Sequence, residues 1–253
     1  MPRFAANLSW LFQEWDFLDR FAAAADAGFT AVEYLFPYDH PPDQISRRLE
    51  KHNLKQVLFN IAPGDFAAGE RGIATFPDRR ADLRAAVTRG LEYARATGTP
   101  RLHLMAGIAS GPDALACYRD SIQFACEAAA KDGIDILIEP INTCDIPGYL
   151  MSDFNLAAQL IGELNLPNFG LQFDIYHRQR IHGEVVKGLE ALLRVTRHMQ
   201  IASAPLRHEP TTGELDDRFI LQTIDRLGYD GHIGCEYRPA NGTLAGLSWL
   251  TRI

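Results

Sequence analysis

Four oxygen-bearing side chains recur in the second half of this chain at the spacing of a strand–helix unit. Glu139, Asp174, Gln200 and Glu236 are each the last polar residue of a short apolar run, and 35, 26 and 36 residues separate them. If each run is a strand of a parallel barrel, all four project from strand C-terminal ends toward one point. Three carboxylates and an amide oxygen form a hard-oxygen set, which suits one divalent ion, Mg²⁺ or Mn²⁺, better than thiolate-held zinc. Taken singly, an acid at a strand end is more often a helix N-cap or an ion-pair partner. The group is more specific than its members, because three carboxylates crowded together without a cation oppose one another's ionisation. Glu139 precedes Pro140 and Glu236 follows Ile-Gly-Cys, neither a setting for a surface charge.

Such a set can move a carbonyl along a short carbon chain. That reaction needs a base at the C–H and an electrophile on the oxygens, which a metal bridging carbonyl and hydroxyl supplies. Glu139 and Glu236, three strands apart in the ring, are placed to take a proton from one carbon and return one to its neighbour. His177, three residues after Asp174, either donates to a substrate oxygen or caps the next helix. Arg207 and His208 lie in the loop after the seventh run. A guanidinium there either pairs with a substrate carboxylate or is a solvated loop arginine. His103 reads as a packed core histidine, and His40, His52 and His182 as surface residues. Trp10, Phe12, Phe36, Tyr38 and Phe66 fall in early loops, as an apolar wall over the site or as plain packing.

Other chemistries lack their residues. No lysine stands at an expected strand end, against Schiff-base catalysis, and there is no Gly-x-Ser-x-Gly elbow or P-loop. The net charge is −7 and only four lysines occur, which argues against nucleic acid as a partner. Cys117, Cys126, Cys144 and Cys235 have no C-x-x-C spacing and read as free thiols, mostly buried. No apolar run approaches the roughly 18–20 residues of a membrane span, and the start has no signal-peptide pattern, so a cytoplasmic location is expected.

The elements that must position these residues alternate along the chain. Candidate strands are 3–8, 31–36, 55–60, 101–105, 134–139, 169–174, 198–202 and 232–236. Several are continuously apolar, as parallel strands buried on both faces are. Helical patterns fill the gaps: 15–27 with Phe17, Leu18, Phe21 and Ala25 on one face, 78–97, and 113–131. Gly28, Gly98 and Gly133 follow them as stops. No G-x-G-x-x-G follows a strand, against a dinucleotide fold. Eight such units in 253 residues predict a single (β/α)₈ barrel domain spanning 1–253.

Several segments also resemble the hydroxypyruvate isomerases. They are Arg3-Phe-Ala-Ala-Asn-Leu-Ser, Ala31-Val-Glu-Tyr-Leu-Phe-Pro-Tyr, Leu58-Phe-Asn-Ile-Ala-Pro-Gly-Asp, His103-Leu-Met-Ala-Gly, Leu171-Gln-Phe-Asp-Ile-Tyr-His, Gln200-Ile-Ala, Arg207-His-Glu-Pro and Ile233-Gly-Cys-Glu-Tyr-Arg-Pro. The resemblance runs almost end to end. It implies a xylose-isomerase-like TIM barrel, with a divalent metal at Glu139, Asp174, Gln200 and Glu236 and with Glu139 and Glu236 as the acid/base pair. The implied substrate is hydroxypyruvate, giving tartronate semialdehyde, or a close 2-oxo acid such as 2-oxo-tetronate. A ketose 3-epimerase is the alternative within the superfamily, and a non-catalytic sugar-acid-binding barrel the alternative outside enzymes. An endonuclease IV-like reading wants many histidine ligands and a basic groove, which this chain lacks. The stretch Thr143-Cys-Asp-Ile-Pro-Gly-Tyr departs from the family pattern and leaves substrate preference open. Exposed aromatic loops at the mouth are compatible with a homo-oligomer.

Overall fold

The structure, a computed structural model, describes residues 2–251. Eight parallel strands pair in sequence order and close on themselves. They are β1 (Arg3–Asn7), β2 (Ala31–Glu33), β3 (Lys55–Asn60), β4 (Arg101–His103), β5 (Asp135–Ile138), β6 (Phe169–Asp174), β7 (Thr196–Ile201) and β8 (His232–Cys235). β3 and β6 coincide with the expected runs. The others are mostly shorter at their C-terminal ends, where the chain leaves the ladder to build the mouth. Beyond β4, for example, Leu104 still donates to the Leu137 carbonyl at 2.9 Å before the chain turns away.

The helices follow their punctuation. α1 (Arg20–Asp26), α2 (Pro42–Lys51), α3 (Arg80–Thr97), α4 (Pro112–Ala130) and α5 (Phe154–Leu164) are followed by α6 (Ile175–Ile181), α7 (Val185–Leu192), α8 (Asp217–Arg226) and α9 (Thr243–Gly246). α3 ends at Gly98 with φ +66°, a conformation that glycine adopts without strain. The expected helix 15–27 is a 3₁₀ turn (Phe17–Asp19) leading into α1, and its buried pair is Phe21 and Ala24. Phe17, Leu18 and Ala25 are half-buried; the first two lie in the 3₁₀ turn, which rotates the start of the stretch off the helical face. Among the described residues no helix is long and apolar enough to cross a membrane.

The barrel interior near the mouth is polar. Glu33 on β2 and His198 on β7 sit on strands that are not neighbours, yet Glu33 Oε2 and His198 Nε2 are 2.6 Å apart. The contact therefore crosses the interior. Glu33 is fully buried and also accepts from Asn7 Nδ2 at 2.9 Å and Gln200 Nε2 at 2.7 Å. Gly234 on β8 makes room for it: a Cβ there would lie 2.2 Å from Glu33 Oε1.

Candidate active site

The loops at the C-terminal ends of the strands enclose a cavity of about 100 Å³. Its chemical floor is Glu139, directly after β5, Glu236, directly after β8, and His177 in α6. Trp10, Phe36, Phe66, Met105 and Ile141 form apolar walls. Two of the five expected wall aromatics are elsewhere. Phe12 is fully buried against Phe29, and the Tyr38 hydroxyl donates to the Asn60 carbonyl at 2.8 Å.

Asp174 serves two purposes, one through each oxygen. Oδ1 accepts from the backbone N–H groups of Tyr176 (2.7 Å) and His177 (3.4 Å), capping α6. Oδ2 lies 3.8 Å from His177 Nε2 and 3.4 Å from Arg207 Nη2. Glu139, Asp174 and His177 offer potential ligand atoms within 4.8 Å of one another.

The tautomer of His177 sorts that trio. Asn142 Oδ1 accepts from the backbone N–H groups of Cys144 (3.1 Å) and Asp145 (3.0 Å), so its amide NH₂ turns to His177 Nδ1 at 2.7 Å. The Asn142 backbone N–H reaches the same nitrogen at 3.3 Å. Nδ1 is thus the acceptor. Burial first, and Arg207 next, lower the pKa of this histidine well below its usual value. A neutral ring accepting at Nδ1 carries its proton on Nε2, the nitrogen facing the carboxylates. In this state His177 is a hydrogen-bond donor to whatever occupies the cavity.

Arg207 is not a solvated loop arginine. Its side chain is 12% exposed and lies between Trp10 (4.7 Å) and Tyr176 (4.8 Å). Nη2 donates to Glu236 Oε2 at 2.5 Å and reaches Asp174 Oδ2, while Nη1 is 3.3 Å from Asp145 Oδ2. Its Nη donors are committed to protein carboxylates, and Nε donates to the Glu236 backbone carbonyl at 3.4 Å. His208, expected beside it, does not line the cavity: its Nδ1 is 2.8 Å from the Arg238 carbonyl. Gln200 is buried at the end of β7 with both ends of its amide engaged. Nε2 donates to Glu33, and Oε1 accepts from Gln172 Nε2 at 2.6 Å.

Burial dominates the electrostatics. It raises Glu139 well above the usual carboxylate range, reinforced by Glu236 and Asp174. Burial also pushes Glu236 up to about 8 and Asp174 up to about 6, in both cases against the pull of Arg207. Glu139 Oε1 is buried with no hydrogen-bond partner among the described residues, and so are both ring nitrogens of His103. Crowded, under-satisfied hard oxygens are the donor set a divalent cation completes, so the residues present fit one.

Four contributors escaped the sequence reading. His103 is buried as expected, but it lines the cavity 3.6 Å from Glu139 Oε2, and burial holds its pKa down to about 3. Asp145 and Arg71 come from loops, where no periodicity marks them. Glu33 did leave a signal, as an acid inside the apolar run Ala-Val-Glu-Tyr-Leu-Phe. His40, His52 and His182 are half-buried and away from this cavity.

A family model described as the xylose isomerase-like TIM barrel matches residues 21–253, and the chain belongs to that family. The 2-oxo-tetronate isomerase of Cupriavidus necator is 50% identical over 99% of this chain and 98% of its own length. The hydroxypyruvate isomerase of Escherichia coli is 40% identical over 99% of this chain and 98% of its own length. These relatives place the chain among the isomerases. A crystal structure from Brucella melitensis described as AP endonuclease, family 2, superimposes with TM-score 0.97 at 44% identity, covering 100% of this chain and 99% of that one.

Proposed function

We propose that this enzyme interconverts a 2-oxo acid bearing a neighbouring hydroxyl and its carbonyl-shifted isomer, with 2-oxo-tetronate and hydroxypyruvate as the substrates. The observation that carries this reading is the pair of buried carboxylates, Glu139 and Glu236, lining one small cavity beside Asp174. The higher identity to a 2-oxo-tetronate isomerase weighs toward the four-carbon acid.

Glu139, Asp174, Gln200 and Glu236 are the residues we assign to a single Mg²⁺ or Mn²⁺. Bound there, the ion would polarise the carbonyl and neutralise the developing oxyanion. For Gln200 to take part, its Oε1 must exchange the Gln172 amide for the ion. One of the two glutamates removes the proton from the hydroxyl-bearing carbon. The electrons move toward the carbonyl carbon, giving an enediolate, and a proton delivered to that carbon completes the shift. The hydroxyl proton passes between the two oxygens, so no oxidant or reductant is consumed. His177, with Nε2–H facing the site, donates to a substrate oxygen, and the aromatic wall keeps water from the enediolate.

The test is proton NMR of turnover with each acid, on protein stripped with EDTA and then reloaded with Mg²⁺ or Mn²⁺. Carbonyl migration restored by the metal is expected. Metal-loaded protein that converts neither acid contradicts the reading, and inversion at C3 of a ketose such as D-tagatose would move the chain to the epimerases.

A further inference from the structure

Among the described residues two cationic side chains line the cavity, and they are in opposite states. Arg207 is held by Glu236, Asp174 and Asp145 and enclosed between two aromatic rings. Arg71, in the loop after β3, has no carboxylate partner among the described residues. Its Nη1 donates to the backbone carbonyls of Phe66 (3.0 Å) and Glu70 (2.9 Å), and among the described residues Nε and Nη2 have no acceptor. The adjacent acid, Glu70, is taken by Arg79 at 2.6 Å.

The position of Arg71 is built. Its guanidinium carbon lies 4.0 Å over the Phe66 ring, and Phe66 packs on Phe36 at 5.1 Å between centroids. The next residue, Gly72, has φ +123° and presses its backbone against the loop after β4. A Cβ there would lie 2.4 Å from the Met105 carbonyl oxygen. The loop is thus fastened across the mouth beside the arginine, and a stacked guanidinium with a free edge is arranged to take a planar carboxylate.

We propose that Arg71, not Arg207, holds the substrate's carboxylate and makes the enzyme selective for acids over neutral hydroxy-ketones. This rests on the isomerase reading above for the identity of the acid. Arg207 instead offsets the negative charge of the floor.

The experiment compares metal-loaded wild type, Arg71→Gln and Arg71→Lys. Steady-state kinetics use hydroxypyruvate and 2-oxo-tetronate, and solvent-deuterium exchange uses their neutral counterparts, dihydroxyacetone and erythrulose. A lost charged hydrogen bond corresponds to a KM for the acids higher by roughly 10- to 100-fold in Arg71→Gln. We expect the loss to fall on KM more than on kcat, exchange into the neutral ketones to fall far less than turnover of the acids, and Arg71→Lys to recover part of the loss. Titration calorimetry with D-glycerate, a non-reacting hydroxy acid, should show a similar loss of affinity. An acid KM and a glycerate affinity both unchanged in Arg71→Gln, with its melting curve intact, overturn the proposal. Failure of wild type to convert either acid while glycerate binding still depends on Arg71 sinks the isomerase reading and leaves the anion site standing. Failure of wild type to bind glycerate overturns the anion site as well.

Discussion

At the scale of single residues, the site is a problem of charge density that protonation or a cation resolves. Above the ordinary carboxylate range the folded metal-free chain holds protons that the unfolded chain has released, on Asp174 up to about 6, on Glu236 up to about 8, and on Glu139, which burial also raises. Stability falls with rising pH wherever the native state binds more protons; below about 6.5 the depressed pKa values of His103, His177 and His232 oppose this, so the melting temperature of EDTA-treated protein should drop between about 6.5 and 8, where only the carboxylates differ. Divalent-metal affinity should rise over the same range, because the ligands must deprotonate first. Calorimetric melting of stripped and reloaded protein from pH 6.5 to 8.5 measures both, and a stripped protein that gains stability with pH over that range contradicts the crowding of the carboxylates. Glu139→Gln and Glu236→Gln should each lower kcat by roughly 10²–10⁴-fold with the fold retained, read by steady-state kinetics beside circular dichroism. At this scale the sequence was legible for acids at strand ends: Glu139, Asp174 and Glu236 are brought together as their spacing predicts. Arg71, Asp145 and the tautomer of His177 depend on loop geometry and on Asn142, which no periodic pattern encodes.

Strands and helices aim these groups. Asp174 closes β6 and opens α6 at once, so the helix-cap reading of a strand-end acid describes its Oδ1, and the ligand role we propose falls to Oδ2. Asp174→Asn keeps a capping oxygen, whereas Asp174→Ala also removes the cap, at about 0.5–2 kcal/mol. Chemical denaturation of the two variants without metal should therefore rank Asn above Ala, and equal stabilities would show the cap to be idle. The short β8 is constrained from across the barrel, since Glu33 occupies the space a side chain on Gly234 would need. Gly234→Ala should cost about 1–3 kcal/mol by overpacking, and a melting temperature unchanged from wild type would mean the network simply yields. Strand and helix identity was readable from apolar runs and glycine stops. The strand ends were less so, because where a ladder stops depends on whether a neighbour still offers a carbonyl, as Leu137 does for Leu104.

For the molecule as a whole, closure of eight strands brings residues more than 200 positions apart into one network, such as Asn7 with Glu236 at 3.3 Å. A repeat of strand, helix and glycine predicts the closure, but it does not say which interior side chains will bond across it. The net charge of −7 disfavours a phosphate backbone. We expect no incision of an abasic-site duplex at protein concentrations that turn over the acids fully, checked on denaturing gels. Metal-dependent cleavage would show that the name of the Brucella melitensis structure describes this chain better than those of the isomerases. The most direct test of the account as a whole is deuterium incorporation during turnover in deuterium oxide, followed by NMR with the metal-loaded enzyme and 2-oxo-tetronate. The account predicts deuterium at the former carbonyl carbon, with exchange abolished in both Glu139→Gln and Glu236→Gln. Product formed with full exchange in either variant would contradict the paired-carboxylate mechanism.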